Sequence, residues 1–150
     1  MDKNEFEQFL HRQIPVTKAM EFRVLEFTAS RVRISAKLEP NRNHHLTAFG
    51  GSISCLMTVT GWALVYANIM EIDPNAHIVI SKSNIRYLKP LKKDFTAECV
   101  LTNEADKINL FKMYNKNNKG KLSVKVYCYE DGFLAAEFEG QYVAFNNDKD

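Results

Sequence analysis

Hydrophobic and polar positions alternate along this chain with two different periods, and the switches between them mark its elements. Residues 4–13 place Phe6, Phe9 and Leu10 at helical spacing, and Pro15 closes that segment. Two strand-like runs follow, 20–28 and 31–38. In the second, Val32, Ile34, Ala36 and Leu38 alternate with Arg31, Arg33, Ser35 and Lys37, the signature of a strand with one wet face. Only Ala29-Ser30 separates the runs, which predicts a hairpin. Residues 39–50 carry Pro40, several Asn and Gly50 and read as loop. From Gly51 to about Met70 the chain is apolar on nearly all sides, which predicts one long buried helix, stopped at Asp73-Pro74.

The remainder reads mostly as strand: 77–88, 94–102, 121–130 and 133–145, the last pair joined by a turn at Asp131-Gly132. In 104–118, Ile108, Leu110, Phe111 and Met113 fit neither period, and an irregular, bulged strand is expected there. The last residues, about 146–150, form a polar tail. A helix buried on every face needs a sheet wrapped around it, or a sheet and a partner chain. The expected class is therefore α+β, an antiparallel sheet curled around one central helix, in a single domain over 1–150.

Composition narrows the function. At 45% hydrophobic and 25% charged residues the chain is that of a globular protein, and a net charge of +2 without a basic stripe argues against nucleic acid as a partner. Cys55, Cys99 and Cys128 lie far apart with no metal-binding spacing, so they read as reduced thiols, and no metal or cofactor is expected. The N-terminus is too charged for a signal peptide, and Thr58, Thr60, Gly61 and Asn68 interrupt the apolar run at 53–70. A cytoplasmic protein that does not span a membrane is expected.

Candidate chemistry gathers where the loop enters the long helix, at NHHLTAFGGS (43–52). Gly50 and Gly51 offer unencumbered amides at the positive end of a helix dipole, the donors of an oxyanion hole; equally, glycines with a capping Ser52 make an ordinary helix entry. Asn43 suits a hydrogen bond to a carbonyl or a water, or an Asx turn. His44 and His45 carry the one base type near neutrality, with His45 preferred, although solvated loop histidines look the same. Thr58, two turns beyond Gly51, orients a water or bonds the carbonyl four residues earlier. Cys55 reads as a packed thiol. Ser83, in the strand at 77–88, is a further water-positioning candidate. Arg86, Lys89, Lys92 and Lys93 form a local positive cluster suited to phosphates or to an acidic protein face, or a solvated strand end.

NHHLTAFGGS followed by ISCLMTVTGWALV, and the later IVISKSNIRYLKPL with its Tyr-Leu-x-Pro ending, resemble the YiiD C-terminal-domain family of thioesterase-like proteins, a branch of the hotdog superfamily. The resemblance spans most of the chain. It implies a hotdog fold and a homodimer, or a dimer of dimers, with sites between protomers for acyl groups carried on coenzyme A or acyl carrier protein. In the phenylacetate-type thioesterases of the superfamily a loop Asn and a His-Gly-Gly turn precede the helix, and an Asp or Glu follows two turns on. Asn43 and Gly50-Gly51 match. Phe49 stands at the His position and Thr58 at the acidic one. The candidate catalytic set is thus Asn43, His45, Gly50, Gly51, Thr58 and Ser83, with Phe49, Arg86, Tyr87 and Lys89 around the substrate. Three functions are open: thioester hydrolysis, a non-catalytic acyl-binding or dimerisation module, and a hydratase or dehydratase, against which Phe49 and Thr58 count.

Overall fold

The structure is a computed structural model describing residues 1–149; of the polar tail, Asp150 lies outside the described residues. Helix α1 (Lys3–Gln13) starts at a capping box, Asp2 accepting from the Glu5 amide at 2.8 Å, and buries Phe6 and Leu10 one turn apart. After Pro15 the chain makes one more turn, α2 (Val16–Ala19), before the hairpin of β1 (Arg23–Phe27) and β2 (Arg31–Ala36). The central helix α3 (Gly50–Ile69) is followed by β3 (His77–Tyr87) and β4 (Phe95–Val100). Helix α4 (Glu104–Asn117) then leads into β5 (Lys119–Glu130) and β6 (Phe133–Phe145). Asp131 and Gly132 both take positive φ, as the two-residue turn between β5 and β6 requires.

The strands form one antiparallel sheet in the order β1-β2-β4-β5-β6-β3. Strand β3 does not pair with its sequence neighbour β4, whose two edges are taken by β2 and β5, but crosses to the free edge of β6. The sheet curls round α3, whose Leu56, Met57, Leu64 and Ile69 are fully buried with Ile34, Phe95, Cys99, Val126 and Phe138 from the strands. Each such side chain contributes on the order of 1.5–3 kcal/mol of hydrophobic stabilisation. This is the hotdog architecture. Among the described residues α3 is the one helix long and apolar enough to cross a membrane, and 67% of that stretch is buried inside the protein.

Three expectations are corrected. Residues 104–118 form a helix, not a bulged strand. Asn103 caps its start by accepting from the Ala105 amide, and Asn118 ends it in the left-handed conformation. Its inward face is Leu110 and Tyr114, one turn apart, whereas Ile108 and Met113, which obscured the period, are exposed. The tail is partly structural: Asn146 is buried and donates to Asp73 at 3.0 Å, beside the Tyr114 hydroxyl, which donates to the same carboxylate at 2.5 Å. Ser52 does not cap α3; it is buried, and the cap position, Phe49, has no side-chain hydrogen bond.

Helix α3 also keeps one open side. Ser54, Cys55, Thr58, Trp62 and Tyr66, spaced a turn apart, are only half-buried. The inner face of β3 lies alongside. Ile78, Ile80, Ser83, Ile85 and Tyr87 pair with Ala144, Tyr142, Gly140, Phe138 and Ala136 of β6, and directly paired residues share a sheet face. A bulge between Ile80 and Lys82 keeps this inward set in phase. Ile80, Ser83 and Tyr87 nevertheless remain exposed, because no element among the described residues covers the edge strand.

Candidate functional site

The loop before α3 is built by asparagines. Asn41, buried, donates to the carbonyls of Met20 and Lys37 at 2.8 and 2.7 Å, and its own carbonyl accepts from the Phe49 amide at 2.7 Å. Nothing in the sequence sets Asn41 apart from Asn43. The Asn43 side chain accepts from the amides of His45 (2.9 Å) and Thr47 (3.2 Å), while its amide donates to the Thr47 hydroxyl at 2.9 Å. These bonds are the Asx-turn role, and they occupy the side chain within its own loop. His44 and His45 are both exposed, their rings 3.8 Å apart.

At the head of α3 the first turn is open. The amides of Ser52 and Ile53 bond the Phe49 carbonyl, leaving those of Gly50 and Gly51 without a backbone acceptor among the described residues. The Tyr87 hydroxyl donates to the Gly50 carbonyl at 3.2 Å, tying the end of β3 to the start of α3. The Phe49 ring lies so close over Gly51 that a Cβ there would stand 2.4 Å from a ring carbon. A side chain at 51 would have to push the exposed Phe49 ring aside. Gly50, Gly51, Phe49 and Tyr87 are therefore brought together.

Thr58 lies on the open stripe, two turns down. Its hydroxyl has no hydrogen-bond partner among the described residues, so the bond to the carbonyl four residues earlier is made by Thr60 instead, at 2.7 Å to Leu56. The Thr58 carbonyl accepts from the Tyr142 hydroxyl at 2.6 Å. Tyr142 is buried, and burial pushes its phenol well above the usual range. It anchors the helix opposite Gly61, a residue the sequence offered only as an interruption of an apolar run. Ser83 shares the inner face of β3 with Tyr87. Burial pushes the Cys55 thiol up and keeps it protonated, consistent with a packing role.

The basic cluster is matched by acids. Arg86 lies 3.5 Å from Glu137, Lys89 4.0 Å from Glu130 and Lys93 2.9 Å from Asp131, and the backbone amides of Lys92 and Lys93 also bond Glu130. These exposed pairs add little stability, but they leave a strand end of mixed charge rather than an unopposed positive patch.

A buried helix inside a curled antiparallel sheet places the chain in the hotdog fold class. Residues 3–146 match the family described as "Putative thioesterase (yiiD_Cterm)", and the chain belongs to this YiiD C-terminal-domain family. It is similar to the crystal structure of a "putative thioesterase" of Shewanella oneidensis at 32% identity and a TM-score of 0.80, over 96% of this chain and 97% of that one. A Chlorobaculum tepidum protein of unknown function gives 25% identity and a TM-score of 0.90, over 97% and 94%. A Pseudomonas aeruginosa protein described as a "probable thioesterase" shares the fold at 19% identity and a TM-score of 0.81, covering 95% of each chain.

Proposed function

We propose that this protein hydrolyses acyl thioesters carried on coenzyme A or on the phosphopantetheine of acyl carrier protein, at a site completed by a second copy of the chain. The observation that carries the reading is the open first turn of α3, where two glycine amides without acceptors stand at the head of an uncovered stripe. Water attacks the thioester carbonyl, and the oxygen that gains negative charge is held by the Gly50 and Gly51 amides with the helix dipole behind them. The tetrahedral intermediate then collapses, breaking the C–S bond. A thiolate leaves, and because thiols are far more acidic than alcohols it needs less help from an acid than an alkoxide would. Thr58 and Ser83 orient the water. Neither is a base, and the stripe carries no carboxylate or imidazole among its described residues. The proton therefore passes to solvent, to His45, or to a group of the second copy.

The second copy is called for by β3. This eleven-residue edge strand exposes Val79 and Ile80 and, among the described residues, has a strand partner on one side alone. Antiparallel pairing of two β3 strands extends the sheet across a homodimer and closes the open stripe. Sedimentation equilibrium checks this, and a strictly monomeric species would remove the interfacial site.

Hydrolysis is tested by thiol release from acetyl- to hexadecanoyl-CoA and the matching acyl carrier protein thioesters, comparing wild type with Thr58→Ala. Turnover above the uncatalysed rate, reduced in Thr58→Ala, is expected. The absent carboxylate at position 58 favours a second reading, a non-catalytic acyl-binding module; saturable binding of acyl-CoA without turnover would select it.

A further inference from the structure

The sheet splits between β4 and β5. Their ladder runs from the Thr96–Tyr129 pair to the Cys99–Val126 pair and stops there. Past that point β4 stays with its other neighbour: Leu101 donates its amide to the Ser30 carbonyl at 2.8 Å, and the chain leaves for the Asn103 cap of α4. Ser123, Val124 and Lys125 of β5 pair with Gln141, Gly140 and Glu139 of β6, and among the described residues have no ladder partner on their other side. A stretch of strand edge without a partner is a template for another strand. The divergence leaves a cleft of about 470 Å³, within the range of small-ligand sites. Leu101, Thr102 and Asp106 stand on one wall, and Ser123 to Lys125 on the other.

Side chains give the cleft its chemistry. Val124 is buried towards the core, whereas Ser123 and Lys125 face outward with the half-buried Tyr127 and Tyr129. The carboxylates of Glu98, Asp106 and Glu139 also line it. Arg31 holds Glu98 at 2.9 Å, but Asp106 and Glu139 form no ion pair among the described residues, and neither does Lys125. Two free carboxylates and two phenol rings, set against one ammonium, favour a cation, and a guanidinium suits rings and carboxylates alike.

We infer that this cleft takes a short extended peptide of a partner protein, added as a strand along Ser123–Lys125, with an arginine or lysine side chain laid over Tyr127 towards Asp106 and Glu139. Main-chain bonds to the open edge give such a complex its affinity, and alternate side chains give it specificity. Neighbours of the basic residue turn inward, as Val124 does, so the recognised pattern is apolar, basic, apolar. The cleft lies on the sheet face opposite α3, and the inference does not depend on the hydrolase reading.

The test uses the full chain and acetyl-Val-Arg-Val-amide, followed by backbone amide shifts in nitrogen–proton correlation spectra. Saturable shifts at Ser123, Val124, Lys125, Leu101 and Thr102 are expected. A peptide with glutamate in place of its arginine is expected to bind about tenfold more weakly, the loss of one charge-assisted contact. Methylating the peptide nitrogens one at a time is expected to cost about as much at one position or more, because it removes a main-chain donor. Asp106→Asn, on the exposed first turn of α4, is expected to weaken the arginine peptide severalfold while thermal midpoint and thioester turnover hold. Should it fold poorly, Glu139→Gln reads the same contact. No saturable shift at Ser123–Lys125 overturns the inference, as does equal binding of the arginine and glutamate peptides or of every methylated one. Ethylguanidinium alone reproducing the shifts overturns it too, since the cleft would then hold a small cation and not a strand.

Discussion

Gly61→Ala sets two well-understood effects against each other. Alanine in place of glycine inside a helix stabilises by about 1 kcal/mol. Here, however, the new methyl would stand 2.6 Å from the Tyr142 hydroxyl oxygen and 3.0 and 3.1 Å from two ring carbons. The ring has little freedom to withdraw, because it is buried and its hydroxyl is bonded to the Thr58 carbonyl. Overpacking of this kind costs about 1–3 kcal/mol. If the ring shifts, the 2.6 Å bond to the Thr58 carbonyl is lost and a buried hydroxyl is left unmatched, a further 1–3 kcal/mol or so. The clash wins. The expected net loss is about 2–3 kcal/mol, a fall in thermal midpoint of roughly 5–10 °C for a domain of this size. Urea denaturation measures it directly, with the double variant Gly61→Ala/Tyr142→Phe as control: removing the hydroxyl should restore much of the loss. Gly61→Ala as stable as wild type would refute the claim that the Tyr142 ring is held against Gly61.

Three further outcomes are expected. Tyr114→Phe removes a donor to the buried Asp73 carboxylate and should lower stability by about 1.5–3 kcal/mol, read as a shift in urea midpoint; an unchanged midpoint counts against this contact as an anchor of α4. Burial holds Cys99 and Cys128 up at about 12 against 9.0 when unfolded, so the unfolded chain loses these protons first. Stability should be full below pH 9 and fall as pH rises towards 12, with neither thiol reacting with Ellman's reagent until the protein unfolds; rapid native-state labelling of either one contradicts the burial. Thr58→Asp places a base on the open stripe and should raise thioester turnover at least tenfold, adding an acidic limb to the pH profile. An unaltered rate and profile would show that position 58 does not face the reacting carbonyl.

Several features were legible from pattern alone. The β2 and β5 alternation placed Ile34, Val126 and Cys128 inward, and the Asp131-Gly132 turn followed from the positive φ that such hairpins demand. Gly50-Gly51 marked the entry to the long helix, which starts at Gly50. Other features were not legible because they depend on what a residue meets. Asn43 and Asn41 look alike in sequence, and only the loop's closure shows that Asn43 bonds its own turn while Asn41 ties three segments together. Helix α4 was hidden because Ile108 and Met113 sit on its exposed face and blur the 3.6 period. The Lys and Arg cluster looked unopposed because its partners, Glu130, Asp131 and Glu137, come from β5, β6 and the turn between them, far along the chain.

What the sequence determined by itself was the set of elements and their apolar faces, since periodicity and turn chemistry act over a few residues. From those, a sheet around one buried helix follows. Only the tertiary structure decided that β3 pairs with β6 at an edge, and that one stripe of α3, from Ser54 past Thr58 to Trp62 and Tyr66, stays only half-buried. The reason is combinatorial: a strand's pattern specifies which face it buries, not which neighbour it chooses. Strand β4 had both edges taken, so β3 went to the free edge of β6, beside the half-buried stripe of α3.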